Sequence, residues 1–343
     1  MEMQKILVGN TLQESKNAFY KRLTQFLGSL FFVVANLASA SPFAYISNQG
    51  ADTVSVIDLE IDKVVASIPT GKAPVGIAID DRQNRLYVSN VESRSVSIVD
   101  TKHNQLIGEI KLTIAPVGIV LSKNGGQLFV ADWFKDRILV FETAALLEAD
   151  TGSAYREIAM GKAPSGMVIS REGASLYVAN RDSDEVGVID VRSLKVVNKI
   201  AVGKHPFGMA LSGDGRNLYV VNVESDSVSV IDTHQDVVTA TIKVGEHPYC
   251  VASNSDGTRV YVSNTGEDTV SVVDTKLRKT IATIAVGGFP EGVAYDAKHN
   301  RIYVASWMDD AVDVIDAKTN LKINRIPTAS KSRAFGQFIG NPH

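Results

Sequence analysis

The chain has little of what several functional classes require. Its 343 residues include one cysteine, Cys250, so an intrachain disulfide is impossible. A chain nearly free of cysteine is compatible with an oxidising compartment but does not prove one. The formal net charge is only −3, and so mild an acidity gives no general attraction to nucleic acids or anionic membranes.

Contiguous catalytic and cofactor motifs are also missing. The sequence has no Cys-x-x-Cys-His, no phosphate-binding loop, no His-Glu-x-x-His and no Gly-x-Ser-x-Gly. No cofactor and no catalytic residue are therefore predicted. An enzyme that assembles its site from single residues on several repeats is not excluded, because fold does not fix function.

A repeat occupies the chain from about residue 43 to the end. An aromatic residue in an apolar strand marks each unit, at Tyr45, Tyr87, Phe129, Tyr177, Tyr219, Tyr261 and Tyr303. Successive markers are 42 residues apart, except for 48 between Phe129 and Tyr177. Such regular spacing is the signature of a repeat architecture.

One unit, Gly203–Asp232, shows the pattern inside each repeat. A Gly-x-x-Pro-x-Gly turn precedes the apolar run Met209–Leu211, a Gly-Asp-Gly turn, the strand Leu218–Val221 and the alternating strand Val228–Ile231. Each unit holds about four strand-like runs, and no segment has the length and periodicity of a core helix. We therefore predict an all-β, seven-bladed β-propeller of four-stranded antiparallel blades. An open solenoid is the alternative, but it would need atypical capping repeats.

The two ends of the chain predict how the ring closes. The first unit begins on its second strand, Phe43–Ser47, and the chain ends with the apolar run Arg333–Ile339, where a first strand should fall. The C-terminal strand is thus expected to complete the N-terminal blade and cover both sheet edges. The six extra residues follow the third strand of unit 3, where Thr143–Glu148 is expected to form one or two helical turns.

Residues 1–40 lie outside the repeat. Basic residues precede the apolar run Phe26–Leu37, and Ala38-Ser39-Ala40 offers small residues for a signal peptidase. We predict a signal peptide cleaved after Ala40 and a single propeller domain over 41–343, exported to the periplasm, the cell surface or the medium. The apolar run is too short and interrupted to identify a transmembrane helix, so membrane association is expected only if this segment stays uncleaved.

Four second strands carry a recognisable motif. They read LYVSN, LYVAN, LYVVN and VYVSN, at Leu86–Asn90, Leu176–Asn180, Leu218–Asn222 and Val260–Asn264. With the VSVID-like strands after them, they resemble the YVTN family of β-propeller repeats over roughly residues 43–340, although Ser, Ala or Val replaces the family's Thr. The resemblance implies a propeller. The family includes bacterial periplasmic and archaeal cell-surface proteins and is related in fold to haem d1 and lactonase propellers.

A site is expected where residues break the repeat on the face that holds the Gly-x-x-Pro-x-Gly turns. These deviations lie after the Pro, before the Pro, or after the second strand, and Arg333 belongs to the closing strand. The candidates are Trp133, Arg181, His205, Phe207, His247, Tyr249, Glu291, Trp307 and Arg333. Aromatic residues with Arg on a rim suit sugars, peptides or unstacked bases. The alternative is that Phe207, Tyr249 and Phe289 plug the channel and pack the blades together.

Two smaller hypotheses concern metal and thiol chemistry. His205 and His247 occupy equivalent positions in adjacent units, and Glu291 could supply a third metal ligand. Other units have Lys or Ala at the histidine position, so rim histidines without a metal are favoured, and no metal is predicted. Cys250 replaces a repeat glycine, and a buried inert thiol is favoured over a reactive one.

The main functional hypothesis is an exported, non-enzymatic propeller that binds a protein, peptide or glycan on this face. The alternative is an exported enzyme, such as a lactonase-like hydrolase or lyase, or a partner of a redox enzyme. In that case His205, His247, Glu291 and Arg333 would carry the chemistry. A second alternative is single-stranded nucleic-acid binding, which the acidic charge disfavours.

Overall fold

The computed structural model describes residues 42–147 and 155–340, which form a seven-bladed β-propeller. Each blade is a four-stranded antiparallel sheet, and the sheet of blade 2 gains a short fifth strand. The strands are rich in Val, Ile and Tyr, which suit a pleated surface buried against a neighbouring sheet. The predicted fold class is confirmed.

The strands repeat in the same order in every blade. The inner strands of blades 2 to 7 are Pro74–Asp80, Pro116–Leu121, Pro164–Ile169, Pro206–Leu211, Pro248–Ser253 and Pro290–Asp296. The second strands are Phe43–Asn48, Arg85–Asn90, Gln127–Asp132, Ser175–Asn180, Asn217–Asn222, Arg259–Asn264 and Arg301–Ser306. The third strands are Thr53–Asp58, Ser95–Asp100, Arg137–Glu142, Glu185–Asp190, Ser227–Asp232, Thr269–Asp274 and Ala311–Asp316. The outer strands are Lys63–Pro69, Gln105–Lys111, Tyr155–Ala159, Lys195–Ala201, Val237–Lys243, Lys279–Ala285 and Leu321–Pro327.

In the part of the chain that the structure describes, helical structure is confined to short 3₁₀ turns. They span Thr143–Ala145, Arg181–Ser183 and Val223–Ser225. The helical turns expected over Thr143–Glu148 are thus realised as one 3₁₀ turn, and residues 148–154 lie outside the described part. So does the predicted signal peptide, residues 1–40. Within the described ranges, no helix has the length and apolarity needed to cross a membrane.

A shared turn links the outer strand to the next inner strand at every junction except the entry to blade 3, where Ala115 before Pro116 does not have positive φ. The residue before the Pro adopts positive φ, as at His205 (52°) and His247 (48°), although neither is glycine. An aspartate from the preceding blade holds this conformation. For example, Asp184 accepts a hydrogen bond of 2.9 Å from the His205 amide. We call the face that holds these turns and the loops between second and third strands the top face, and the opposite face the bottom face.

The core lies between the blades. The marker aromatics Tyr45, Phe129, Tyr261 and Tyr303 have no exposed surface. Adjacent inner strands approach closely: a Cβ added to Gly118 would lie 2.0 Å from the Ser165 carbonyl oxygen. A glycine is therefore needed here, two residues after Pro116, to bring blades 3 and 4 together around the channel.

The C-terminal segment closes the ring, as predicted, but as a broken strand. Ile339 and Gly340 pair with the first two residues of Phe43–Asn48, and the Tyr45 amide donates to the Phe338 carbonyl at 2.9 Å. Phe335–Gly336 instead pairs in parallel with the inner strand of blade 2. The break falls at Gly336, whose φ of 107° is strained for residues with a side chain.

Candidate functional site

Three aromatic side chains close the channel beneath the top face. The Phe207 ring centroid lies 4.3 Å from that of Tyr249 and 4.9 Å from that of Phe335. We call Phe207, Tyr249 and Phe335 the plug. Phe207 is only 4% exposed, so its ring serves mainly to pack the blades. The alternative hypothesis expected Phe289 in the plug as well, but Phe335 takes that place, and the Phe289 ring centroid lies 6.0 Å from that of Trp307. Below the plug, a cavity of about 780 Å³ extends toward Asp80 and Lys123 on the bottom face.

A buried ion pair lies beside the plug. Glu291 follows Pro290 in blade 7, and Arg333 holds the equivalent position in the closing segment, where Ser332 replaces the Pro. Arg333 Nε donates to Glu291 Oε2. The other guanidinium nitrogens donate to the Tyr249 hydroxyl at 3.1 Å and to Gln49 Oε1 at 3.2 Å. Glu291 is 5% exposed, and burial raises the pKa of its carboxyl group. The guanidinium is therefore the partner that allows a carboxylate at this depth.

The ion pair connects to Trp307 through one amide. Trp307 Nε1 donates to Gln49 Oε1 at 3.1 Å, the oxygen that also accepts from Arg333. The Lys331 ammonium lies 4.9 Å from the centre of the Trp307 ring, within cation–π range. Trp307 is half-buried, and the next residue, Met308, is 64% exposed.

Trp133 forms a similar arrangement on blade 3. Its ring centroid lies 6.0 Å from that of Phe207, and the Arg181 guanidinium lies 5.4 Å from the ring centre. Asp182 pairs with Arg181 at 2.5 Å. Trp133 is half-buried, and the next residue, Phe134, is 76% exposed.

These contacts form one continuous path across the channel mouth, which we call the top-face band. It consists of Arg181, Trp133, the plug residues Phe207 and Tyr249, then Arg333, Gln49, Trp307 and Lys331. The predicted candidates Trp133, Arg181, Phe207, Tyr249, Glu291, Trp307 and Arg333 all belong to it or contact it.

The two histidines lie outside this path. His205 Nδ1 is 2.6 Å from Glu224 Oε1 without the alignment of a hydrogen bond, and Nε2 is 3.9 Å from Asp182 Oδ1. The His247 side chain is exposed at its turn. Within residues 42–147 and 155–340, no group of three His, Cys, Asp or Glu side chains is arranged to hold a metal ion. Glu291 is instead paired with Arg333.

Gln49, Lys331, Phe134 and Met308 were not among the candidates. Lys331 lies one repeat length after Phe289 and therefore occupies the same repeat position. Counting repeat positions would have placed Lys331 on the top face. Gln49 is the blade 1 equivalent of Trp133 and Trp307, but nothing in the sequence indicates that it accepts hydrogen bonds from blade 7 and from the closing segment.

Blades 3 and 7, which carry the tryptophans, also differ inside. In a regular blade such as blade 2, the Asn90 amide donates to Ser97 at 2.9 Å. In blade 3, Asp132 replaces the asparagine and accepts from Arg137 at 2.9 Å. In blade 7, Ser306 occupies the asparagine position, and the buried Asp313 binds Arg325 through two hydrogen bonds of 2.8 and 3.0 Å. The loops that carry Trp133 and Trp307 thus lie above side-chain hydrogen bonds that differ from those of a regular blade.

Comparisons with known proteins agree on the fold. A family model described as lactonase, 7-bladed beta-propeller, matches residues 115–252, about two-fifths of the chain. None of the curated proteins matches.

Many solved structures are similar. A structure of Kuenenia stuttgartiensis hydrazine synthase has a TM-score of 0.69 at 23% identity, covering 79% of this chain and 91% of that one. Dihydro-haem d1 dehydrogenase NirN has a TM-score of 0.66 at 15% identity, covering 87% and 75%. A functionally unknown protein from Desulfotomaculum acetoxidans has a TM-score of 0.75 at 12% identity, covering 88% and 99%. At such identities these likenesses establish the fold alone.

Proposed function

We propose that this protein is an exported β-propeller that recognises a protein, peptide or glycan partner on its top face. The observation that carries the proposal is the top-face band, which has near each end a half-buried tryptophan whose next residue in the chain is apolar and exposed. Tryptophan and arginine are the residue types that dominate binding energy at interfaces.

The band is held in place before a partner arrives. Trp307 is fixed through Gln49 and Arg333, and Trp133 packs on Phe207, which contacts the rest of the plug. Such preorganisation lowers the entropy lost on binding. The rest of the described top face lacks comparable exposed aromatic or large apolar side chains: the other exposed ones lie on outer strands, on bottom-face turns or in the blade 3 insertion.

Export is the second part of the proposal and rests on residues 1–40. Their basic segment, apolar run and Ala38-Ser39-Ala40 site have the order of a signal peptide. Fractionation of the native host, with sequencing of the mature N-terminus, tests it. Export predicts a mature chain that begins at Ser41 outside the cytoplasm, and a full-length cytoplasmic chain would contradict it.

Recognition is tested by comparative co-purification. The full chain with a C-terminal tag is purified from its own host as wild type, as Trp133→Ala/Trp307→Ala, and as the control Leu321→Ala. Leu321 is an apolar residue of the blade 7 outer strand and is 62% exposed. We expect a stoichiometric partner, identified by mass spectrometry or glycan analysis, with the wild type and the control but not with the double variant.

Two results would contradict the proposal: a partner that the tryptophan variant retains, or no partner together with no binding to a glycan array. Thermal unfolding of each variant establishes that a lost partner reflects the altered surface and not a misfolded ring.

An exported hydrolase is the second candidate, favoured by the lactonase match over residues 115–252. In this version Glu291 and Arg333, with His205 and His247, carry the chemistry. Hydrolysis of lactones above background that falls on substitution of these residues would support it. If the variant His205→Ala/His247→Ala hydrolyses lactones as fast as the wild type, the histidines take no part in the mechanism.

A further inference from the structure

Charge is unevenly distributed over the top face. Outside the buried Glu291–Arg333 pair, its turns and loops carry twelve Asp or Glu residues and seven Lys or Arg residues, so this face is net negative. Around Trp133, the turns and loops of blades 3 and 4 hold three of each kind. Beside Trp307, the turns and loops of blades 6 and 7 hold five acidic residues and neither Lys nor Arg. The excess negative charge is therefore concentrated at the Trp307 end of the top-face band.

We call these five residues of blades 6 and 7 the acidic sector: Glu246, Glu267, Asp268, Asp309 and Asp310. Glu246 and Glu267 are exposed, and neither pairs with a Lys or Arg side chain in the part of the chain that the structure describes. Asp309 binds Arg325 at 2.8 Å. The sector stays negative even when the two cations that border it, Arg325 and Lys331, are counted with it.

An apolar surface adjoins the acidic sector. The Phe289 amide donates to Asp268 Oδ1 at 2.8 Å, and the Phe289 ring centroid lies 6.0 Å from that of Trp307. Met308 follows Trp307 and is 64% exposed. We call Phe289, Trp307 and Met308 the apolar corner. Because Asp268 holds Phe289 across the seam between blades 6 and 7, the corner and the sector form one continuous surface.

This surface suits a ligand that has apolar groups and positive charges close together. Lys and Arg side chains combine both, because their alkyl stems pack on apolar surface while their charged ends reach nearby carboxylates. Charge complementarity speeds association and disfavours partners of the wrong sign, so nucleic acids and acidic proteins are poor candidates.

The apolar corner favours a polypeptide over a small cation. A polyamine would use mainly the carboxylates of the sector, whereas Met308 offers contact area that only a larger apolar group covers well. A polypeptide can place an aromatic or large aliphatic side chain there and a Lys or Arg a few residues away.

We infer that the partner of the top face is a basic polypeptide segment, whose apolar side chain packs on the apolar corner and whose Lys or Arg side chains face the acidic sector. The inference rests on the proposed function and narrows its ligand to one class.

A random library of twelve-residue peptides displayed on phage tests it. The full chain from its own host is the target, and the variant Glu246→Gln/Glu267→Gln is used for counter-selection at low salt. We expect enriched peptides that carry net positive charge and at least one aromatic or large aliphatic residue.

Single charge variants test the electrostatic part with one selected peptide. Glu246→Gln and Glu267→Gln should each weaken its binding by about threefold and reduce the dependence of the affinity on salt, because one screened attraction is lost. Glu172→Gln is the matched control, since Glu172 is an exposed glutamate on a bottom-face turn. It removes the same charge from the protein and should change neither quantity.

Met308→Ala tests the apolar part. It should weaken the same peptide by about fivefold and leave the salt dependence unchanged, because an uncharged contact is lost. Leu321→Ala, at an exposed apolar residue of the blade 7 outer strand, is its control. All of these substitutions are at exposed positions, and thermal unfolding verifies that each variant keeps its fold.

Enrichment of neutral or acidic peptides, an affinity that both glutamate variants leave unchanged, or no enrichment would overturn the inference. So would spermine that binds as tightly as the selected peptide and is unaffected by Met308→Ala, because the surface would then attract any polycation.

The proposed function can be judged separately. If the co-purified partner is a glycan or an acidic protein that the variant Trp133→Ala/Trp307→Ala loses, the proposed function stands and only the basic polypeptide is wrong. If no partner depends on the tryptophans, both fail.

Discussion

The Tyr303 hydroxyl donates a 2.7 Å hydrogen bond to the Asp62 carboxylate, and this bond joins blade 7 to blade 1. The two residues are 241 positions apart in the chain, and no intrachain disulfide crosses this seam, because Cys250 is the one cysteine. Arg301 also binds Asp62, at 2.9 Å. The bottom half of the closing seam is therefore held by polar contacts as well as by the C-terminal strand.

Tyr303→Phe is expected to lower the free energy of unfolding by about 2 kcal/mol, because a hydrogen bond to a charged acceptor is lost. Chemical denaturation measures the change. Tyr219→Phe is the matched control: it is the same repeat position in blade 5, and no hydrogen bond of its hydroxyl is found within the described residues. Equal losses in the two variants would mean that the seam contact contributes nothing specific.

His299 should make this seam dependent on pH. Its Nδ1 is 2.5 Å from Asp296 and its Nε2 is 3.1 Å from Glu60 of blade 1, which Lys298 also contacts. Burial alone would lower the pKa of His299, but the hydrogen bonds to Asp296 and Glu60 raise it overall. A raised pKa in the folded state gives stability that is fully present below the unfolded value of about 6.5 and is lost as pH rises through the folded value.

The variant His299→Gln should therefore be less stable than the wild type in acid, and the difference should shrink as pH rises past the folded pKa. Thermal unfolding from pH 5 to 9 measures it. His234→Gln, at an exposed histidine on a bottom-face turn, is the control. A difference between wild type and His299→Gln that is constant with pH would contradict the role of the imidazolium.

The buried ion pair predicts a strong single-residue effect. Arg333→Leu should cost about 3 to 5 kcal/mol at neutral pH, because Glu291 would remain buried without its partner. Burial already raises the pKa of Glu291, and loss of the guanidinium would raise it further. Since its folded pKa then lies well above the unfolded value, the variant should be most stable in acid and lose stability as pH rises through the folded pKa.

The double variant Arg333→Leu/Glu291→Leu separates this charge effect from packing. Its cost should be less than the sum of the two single costs and should not vary with pH in the same range. Strict additivity in urea denaturation would show that the two side chains are not energetically coupled.

Cys250 should be unreactive in the folded protein. It is buried beside Glu291 and Arg333, and burial raises the pKa of its thiol well above the ordinary value. Because the thiolate is the reactive form, iodoacetamide at pH 8 should label the unfolded chain quantitatively and leave the native protein unlabelled over the same time. Fast native labelling, followed by mass spectrometry, would show that the interior opens near the plug.

The sequence alone determined the number of blades, the order of strands and the role of the C-terminal segment in closure. It could do so because a 42-residue period places equivalent residues at equivalent places on a ring. For the same reason, the residues after each Pro, among them Phe207, Tyr249 and Glu291, could be assigned to one face of the channel, together with Arg333 of the closing strand.

Which of these residues contact one another was decided only by the tertiary structure. A metal group of His205, His247 and Glu291 was one reading of the sequence, whereas Glu291 pairs with Arg333 of the closing segment. Trp307 meets Gln49 from 258 residues away, and Lys331 lies over its ring. Periodicity fixes where a residue lies on the ring, but side-chain length, rotamer and the path of the closing strand fix its partners, and none of these three repeats every 42 residues.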